Sequence, residues 1–562
     1  MSKKGRRTIS IFIAMVMSIG LLAACAQPAA EPTPGEPAAP PTAAPATPVP
    51  PGGIGGVAAE AEPPPEGAVL ADHIDVIVDA TGITVLNPNL PAGGPAGNAW
   101  LYRLAHDRLI EIRGPGDYHP GLAYRWTTDD FQTLRFYLRD DVYWHNGDHF
   151  TAHCVVFTIE MAHQNPAGLA FSRWRLVEQA TVVEPHILEL FLSVPNVDFE
   201  FEFSHFGVPI LNERAYNENP DDPNWAAVGT GPFRITGFST ANFVHLERND
   251  DYWGELPPTR SMSFWTIPEM ATRRIMLHSG EAQISFQMNP EDLDDLLVDP
   301  DFDIIVDTSF PHILSFKNGT DPIVRDPYFR RAVAHALNVE EIAVVALGNW
   351  AMPATDGNYW PLVTPLRRND LPLRQQDLAL AAEYLERSVW NGESVELATA
   401  GDAAIRASEM IQHQLGMIGV DVDVDIMDVP SFLDAFLFNP ESPRQMWHFS
   451  LGQPPSAIGF VTGILYPGTG SNRTSLQDDY FTALIHQLSV EGDDNRAREI
   501  AYEMQEWLWE DMSSIPLYFA LTGIPAVQGV GGLHAWGNMF FYCLRGLYWD
   551  MSQTPEHLLP AS

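Results

Sequence analysis

From Asp72 onward the chain switches repeatedly between two hydrophobic periods, one of two residues and one near 3.6. The period of two marks strands at His73–Asp79 (HIDVIVD), Thr133–Arg139 (TLRFYLR), Glu184–Val194 and Ile515–Ala520, and most strictly at Val420–Met427 (VDVDVDIM). The longer period marks helices. Asn98 to Ile112 places Leu101, Leu104, Ala105 and Leu109 on one face, and Ala403–Gly416 and Arg496–Met512 repeat the pattern. Thr151 stands where a cap is needed for a helix through Val155, Val156 and Ile159. Asp326-Pro327 opens another helix, Asp as N-cap and Pro at the first helical position, with Phe329, Val333, Ala336 and Leu337 as its apolar stripe. No internal repeat is present. Strands interleaved with helices predict an α/β fold with several mixed β-sheets flanked by helices.

The first 66 residues follow neither period. Lys3, Lys4, Arg6 and Arg7 precede an apolar run from Ile9 to Leu22, too short for a permanent membrane span and built like an export signal. The run ends in Leu22-Ala23-Ala24-Cys25, which resembles a bacterial lipobox. That resemblance implies cleavage after residue 24, lipidation of Cys25 and attachment to the membrane through the lipid alone. Residues 25–66 are rich in Pro, Ala, Gly and Glu, cannot bury enough surface to fold, and read as an extended tether. No later stretch reaches 18 consecutive apolar residues.

Charge narrows the partners. Asp+Glu number 72 against 32 Lys+Arg, a net charge of −40, and Lys3, Lys4 and Lys317 are the only lysines. With charged residues at 19% of the chain against ~25% typically, the acidity reflects missing bases rather than added acids. Such a surface repels phosphate backbones, so no nucleic-acid partner is expected. Cys154 and Cys543 are far apart in sequence, and two buried free thiols are expected rather than a disulfide.

Three ordered motifs then carry a resemblance. Gly121-Leu122 through Trp126, Phe136 to Val142, Trp144-His145-Asn146-Gly147 and Thr151-Ala152 form the first. Val228-Gly229-Thr230-Gly231-Pro232-Phe233 with Leu246 to Gly254 forms the second, and Asp326 to Leu337 with Arg330-Arg331-Ala332 the third. Over residues 70–550 the chain resembles the family 5 extracellular solute-binding proteins, the dipeptide, oligopeptide and nickel receptors of ABC importers. The resemblance implies a two-lobed periplasmic-binding-protein fold closing on a ligand in an interlobe cleft. Lobe I would comprise 67–115, 226–308 and 523–562, an inserted subdomain 116–225, and lobe II 309–522. It also implies an exported monomer, lipid-anchored on the outer face of the cell membrane, that delivers a small solute, by family default a peptide, to a permease with ATPase subunits. The glycines of the second motif and the aromatic turn after Arg248 read as scaffold rather than ligand contacts.

Catalytic signatures are missing: the sequence has no H-E-x-x-H, C-x-x-C, G-x-S-x-G or G-x-x-x-x-G-K-[ST], and no enzyme activity and no cofactor are expected. His145, His149, His153 and Cys154 are ligand types for zinc or nickel, but the turn between them does not place them on one side of the chain; a secreted metal-dependent hydrolase is the remote alternative. Peptide receptors of the family hold the ligand's amino group with an aspartate in a W-x-x-D-like stretch. The matching stretch here starts at Trp447, and no carboxylate lies between Arg444 and Gln477. Trp447, Gln453, Asn472 and Arg473 stand there instead, suited to an oligosaccharide or another non-peptide solute. Asn98, Trp100, Tyr359 and Trp360 are the other candidate walls, with Trp360 expected to project because Pro361 follows it.

Overall fold

A computed structural model describes residues 62–79, 83, 85–90, 96–316, 321–358, 360, 362, 364, 366–438, 444–450, 456–461, 478–533, 535 and 542–560. The expected elements occur, with bounds set by their neighbours. The first strand is His73–Val78, and the Asp326 carboxylate accepts the Tyr328 amide at 3.0 Å to cap the helix Pro327–Ala336. Thr151 occupies the N-cap of the helix Ala152–Gln164, though its hydroxyl makes no capping bond. Other helices run Asp402–Gly416 and Asp494–Asp511.

Three expectations are corrected. The helix read as Asn98–Ile112 is Ala96–Ala105, and Ile110–Gly114 is a strand paired with Asp117–Pro120. Its end is occupied by another part of the chain: the Gly231 amide donates to the Ala105 carbonyl at 2.9 Å. Glu184–Val194 divides into the end of one strand, Val177–Glu184, and a second, Ile187–Leu192, turning at residues 185 and 186. The strand read as Ile515–Ala520 runs from Ser514 to Val527, through Gly523 and Pro525, because Phe302–Phe316 pairs along its whole length.

Those two long antiparallel strands are the spine of the molecule. They lie inside a sheet of eleven strands. On one side, Met446–Ser450 joins Phe302–Phe316, followed by the parallel strands Val395–Thr399 and Val422–Ile426. On the other, Ile284–Ser285 joins Ser514–Val527, followed by the strands beginning at His73, Ser261, Phe243 and Phe233. The helix Asp402–Gly416 links two parallel strands and buries Ala407, Ile411 and Leu415 on the sheet, as a βαβ unit requires. A separate four-stranded sheet (Ala123–Thr127, Thr133–Leu138, Ile187–Leu192, Val177–Glu184) packs the Ala152–Gln164 helix over Leu134, Phe136, Leu188 and Leu190.

The apolar side chains of the spine divide between cores. Ile305 packs with the strands beginning at His73 and Ser261, and Phe302 and Ile304 with Leu277, Leu293 and Leu296 beside them, whereas Ile313, Leu314 and Phe316 pack with the strands Met446–Ser450 and Val395–Thr399. Between them the pairing slips, at Thr308/Pro311 and again at His312/Ile313. Extra residues bend a strand and increase its local twist, so the irregularities fall where the chain crosses from one core to the other.

Candidate functional site

Around the crossing, polar groups lie where apolar packing would be the rule. Asp307 is buried; its carboxylate accepts the Thr308 amide at 2.8 Å and bonds the hydroxyl of Tyr542. Tyr542 closes an aromatic layer with Phe286 and Trp100, whose ring centres are 4.3 Å apart. Beyond the slip, His312 stacks on Tyr518 with 4.4 Å between ring centres and stands 5.6 Å from the His448 ring, while Thr399 neighbours His448 across the sheet.

Four atoms of this group, His312 Nδ1, His448 Nε2, Thr399 Oγ1 and the Tyr518 hydroxyl, are buried with no hydrogen-bond partner among the described residues. Burial brings His448 down to about 4, against the opposing pull of the Ala404 carbonyl, and burial beside His448 lowers His312 as well. Burial also raises Tyr518. At neutral pH the group is therefore uncharged but rich in hydrogen-bonding capacity, suited to water or a neutral polar group.

The glycine motif anchors the four-stranded module to the rest. A Cβ on Gly229 would lie 1.8 Å from the Ala105 carbonyl oxygen, and one on Gly231 2.6 Å from that of Leu104, so only glycine admits this approach. His145 is stitched into the same place: Nε2–H donates to the Gly231 carbonyl at 2.9 Å and Nδ1 accepts the Gly229 amide at 3.3 Å. Burial lowers it to about 4, leaving a neutral imidazole with both nitrogens engaged. His149 Nε2 donates to the Asp140 carbonyl at 2.8 Å. Among the described residues, no three His, Cys, Asp or Glu side chains are grouped to hold a metal ion. Cys154 and Cys543 are free thiols, half-buried rather than fully buried as expected.

The aromatic turn of the same motif feeds a hub at Asp107. This buried carboxylate accepts from Thr230 Oγ1 at 3.0 Å, the Tyr252 hydroxyl at 3.0 Å, Trp253 Nε1 at 2.9 Å and Arg545 Nη2 at 2.9 Å. The scaffold role expected for these residues is the one their contacts describe. Nothing in the local sequence singles out Asp107, whose partners lie up to 438 residues away.

The candidate walls separate into two environments. Asn98 is buried and donates to the Val85 carbonyl at 3.0 Å, and Trp100 is buried with Ile74, Val76 and Phe286. Trp360 and Trp447 are both fully buried in one aromatic cluster with Phe432, Phe436 and Phe460. Trp360 does not project: Arg367 donates to its carbonyl at 2.6 Å and holds the loop inward. Tyr359, Gln453, Asn472 and Arg473 lie outside the described residues, as does Cys25.

A seam joins the four-stranded module to the helices that follow the 446–450 strand. The Ser456 hydroxyl donates to Asp198, the Val197 amide donates to the Ser489 carbonyl at 3.1 Å, and the Phe131 ring lies against Gly492. Removal from water, reinforced by Glu202, pushes Asp198 up to about 8 against the pull of Ser456, the Gly459 amide and Arg173. A carboxyl that stands near 8 when folded and ~3.9 when unfolded binds an extra proton on folding between those values. Its full contribution to stability is present below pH 4 and is lost as pH rises to 8. Asp198→Asn should therefore gain stability over the parent as pH rises from 5 to 7.5, by at most ~1.4 kcal/mol per pH unit. Urea melts of both proteins across that range would check this; parallel profiles would show that Asp198 is ionised at the seam.

A mixed sheet crossed by one strand pair, with separate cores on either side, defines the two-lobed fold of periplasmic binding proteins. The chain belongs to the family of bacterial extracellular solute-binding proteins, family 5, whose middle-region profile matches residues 117–458. It is 24% identical over 406 residues to the glutathione-binding protein GsiB of Salmonella typhimurium, covering 69% of this chain and 78% of that protein. It is also 24% identical over 436 residues to the dipeptide-binding protein DppE of Bacillus subtilis, covering 71% and 78%. Among solved structures, DppA from Helicobacter pylori in complex with the peptide STSA superposes with a TM-score of 0.70 at 20% identity, over 86% of this chain and 98% of that one. NikA from Brucella suis in complex with Fe(III)-EDTA gives 0.73 at 20%, over 85% and 99%. The chain is thus a substrate-binding protein of the ABC-importer type, from a family that binds solutes outside the cytoplasm.

Proposed function

We propose that this protein captures a small peptide-like solute between its lobes and presents it to an ABC permease with ATPase subunits, without covalent chemistry. The observation that carries the ligand class is its similarity, over about two thirds of its length, to proteins named for binding glutathione and dipeptides. The lobes are taken as 67–115 with 226–308 and 523–562, against 309–522, with 116–225 as an inserted subdomain. Cys25 carries the lipid, 25–66 is the tether, and the protein works as a monomer at the outer face of the membrane.

Tyr359, Gln453, Asn472 and Arg473 are the proposed ligand contacts. Asn98, Trp100, Trp360 and Trp447 are buried, and their proposed role is to support the site from within the lobes rather than to touch the ligand. A second reading, a neutral polar solute such as an oligosaccharide, is favoured by the carboxylate-free stretch 445–477 and by the uncharged His312, His448, Thr399 and Tyr518 group.

Thermal melting of the protein with di- and tripeptides, glutathione and oligosaccharides separates the two readings. A ligand at a hundred times its dissociation constant should stabilise the fold by ~2.7 kcal/mol. Stabilisation by peptides supports the first reading and by sugars alone the second; none from any soluble small molecule would remove both. Arg473→Ala should then weaken binding without shifting the unliganded melting temperature.

A further inference from the structure

A second unusual cluster of buried polar groups lies at the foot of the first helix. Arg103 and Arg108 are 2% and 0% exposed, and both share one carboxylate: Arg103 Nη2 meets Glu111 Oε1 at 3.2 Å and Arg108 Nη2 meets Oε2 at 2.6 Å. Arg103 Nη2 also donates to the Ile112 carbonyl at 3.1 Å. The Nε and Nη1 atoms of both guanidiniums are buried and have no hydrogen-bond partner among the described residues.

Charge does not balance here either. The neighbouring cations are matched, Arg545 by Asp107 at 2.9 Å and Arg173 by Glu202 at 3.0 Å, whereas Glu111 alone faces two arginines. His205 lies among Arg173, Arg103 and Arg108, and burial with those charges keeps it neutral. Burial, together with Arg108, lowers Arg103 only to about 10, so it remains protonated at neutral pH. Against its burial, Arg108, Arg545 and Arg103 draw Glu111 down to about 2, so that carboxylate is already ionised. Among the described residues, no carboxylate other than Glu111 pairs with either guanidinium.

An unmatched buried cation costs several kcal/mol, and four unsatisfied donor atoms add to that cost. Water would satisfy the donors but not the charge. A small anion satisfies both, through charge-assisted hydrogen bonds to adjacent guanidiniums. We propose that Arg103 and Arg108 hold a small inorganic anion of the halide class, chloride in the native setting, as a built-in counter-ion of the first lobe. With Arg103 and Arg108 2% and 0% exposed, a monatomic ion is the occupant that needs the least room.

Bromide replaces chloride and scatters X-rays anomalously. Crystals of the wild-type protein soaked in sodium bromide should show an anomalous peak in contact with Arg103 Nη1 and Arg108 Nη1; density for water alone, or no peak, would overturn the proposal. In solution, the unfolding equilibrium constant should fall about tenfold for each tenfold rise in chloride above its dissociation constant, and not in sodium gluconate of equal ionic strength. Equal responses to the two salts would overturn it. Arg103→Met should abolish the difference between the salts; a difference that persists would place the halide elsewhere. Should that variant not fold, Arg103→Lys and the wild-type bromide crystals decide the matter.

Discussion

Gly229→Ala should abolish folding, or lower stability by more than ~4 kcal/mol, as judged by urea unfolding or by loss of soluble protein. The added Cβ would lie 1.8 Å from the Ala105 carbonyl oxygen, an approach no rotamer can relieve because both partners are backbone. Nor can the segment back away. The His145 amide donates to the Gly229 carbonyl at 2.8 Å, the Gly231 amide donates to Ala105, and the His145 ring bonds both glycines. Gly231→Ala meets the Leu104 and Ala105 backbone at 2.6 Å and should behave alike. Gly237→Ala is the control, since its Cβ would meet only the His245 side chain at 3.1 Å. If Gly229→Ala unfolds at the same urea concentration as Gly237→Ala, the close approach does not exist.

The second large effect is expected at Asp107. Replacing it with Ala leaves the Arg545 guanidinium without its carboxylate and strands the donors of Tyr252, Trp253 and Thr230. Removing one partner of a buried ion pair costs ~3–5 kcal/mol, more than the pair itself contributes, because the remaining charge stays out of water. Asp107→Asn keeps the acceptor oxygen and should fall between the parent and Ala. The decisive measurement is a double-mutant cycle with Arg545→Met. If one buried pair is responsible, the double mutant should be less destabilised than the sum of the single ones; strict additivity would show that the two side chains act separately.

Both effects concern contacts that connect distant segments, and this explains how far the sequence could be read. Elements whose signal is local were legible. The Asp326-Pro327 start carries its cap and its first turn in adjacent residues. The VDVDVDIM alternation survives as the strand Val422–Ile426, with Val422 buried and Asp423 exposed, although Asp425 is half-buried against Arg444 and Ile426 is exposed. Ends decided by other segments were not. The first helix stops at Ala105 because Gly231 occupies its last carbonyl, and the strand from Ser514 continues through Pro525 because Ile304 lies opposite. Pro361 suggested an exposed Trp360, yet the buried Arg367 holds that loop inward.

What the sequence determined by itself is the class. Period-two and period-3.6 patterns define an α/β chain, and three motifs in order identify a family 5 solute-binding protein, because residue type, spacing and order are written along the chain whatever the side chains later touch. Tertiary structure decided what those motifs are for and where charge is buried. Gly229 and Gly231 matter through a backbone that lies more than a hundred residues away, and Asp107 through Arg545 near the other end of the chain. The neutral cluster of His312, His448 and Tyr518 and the two arginines on Glu111 exist only once separate strands and helices converge. A side chain's charge state and partners follow from the surroundings that folding builds, and periodicity along the chain carries no record of them.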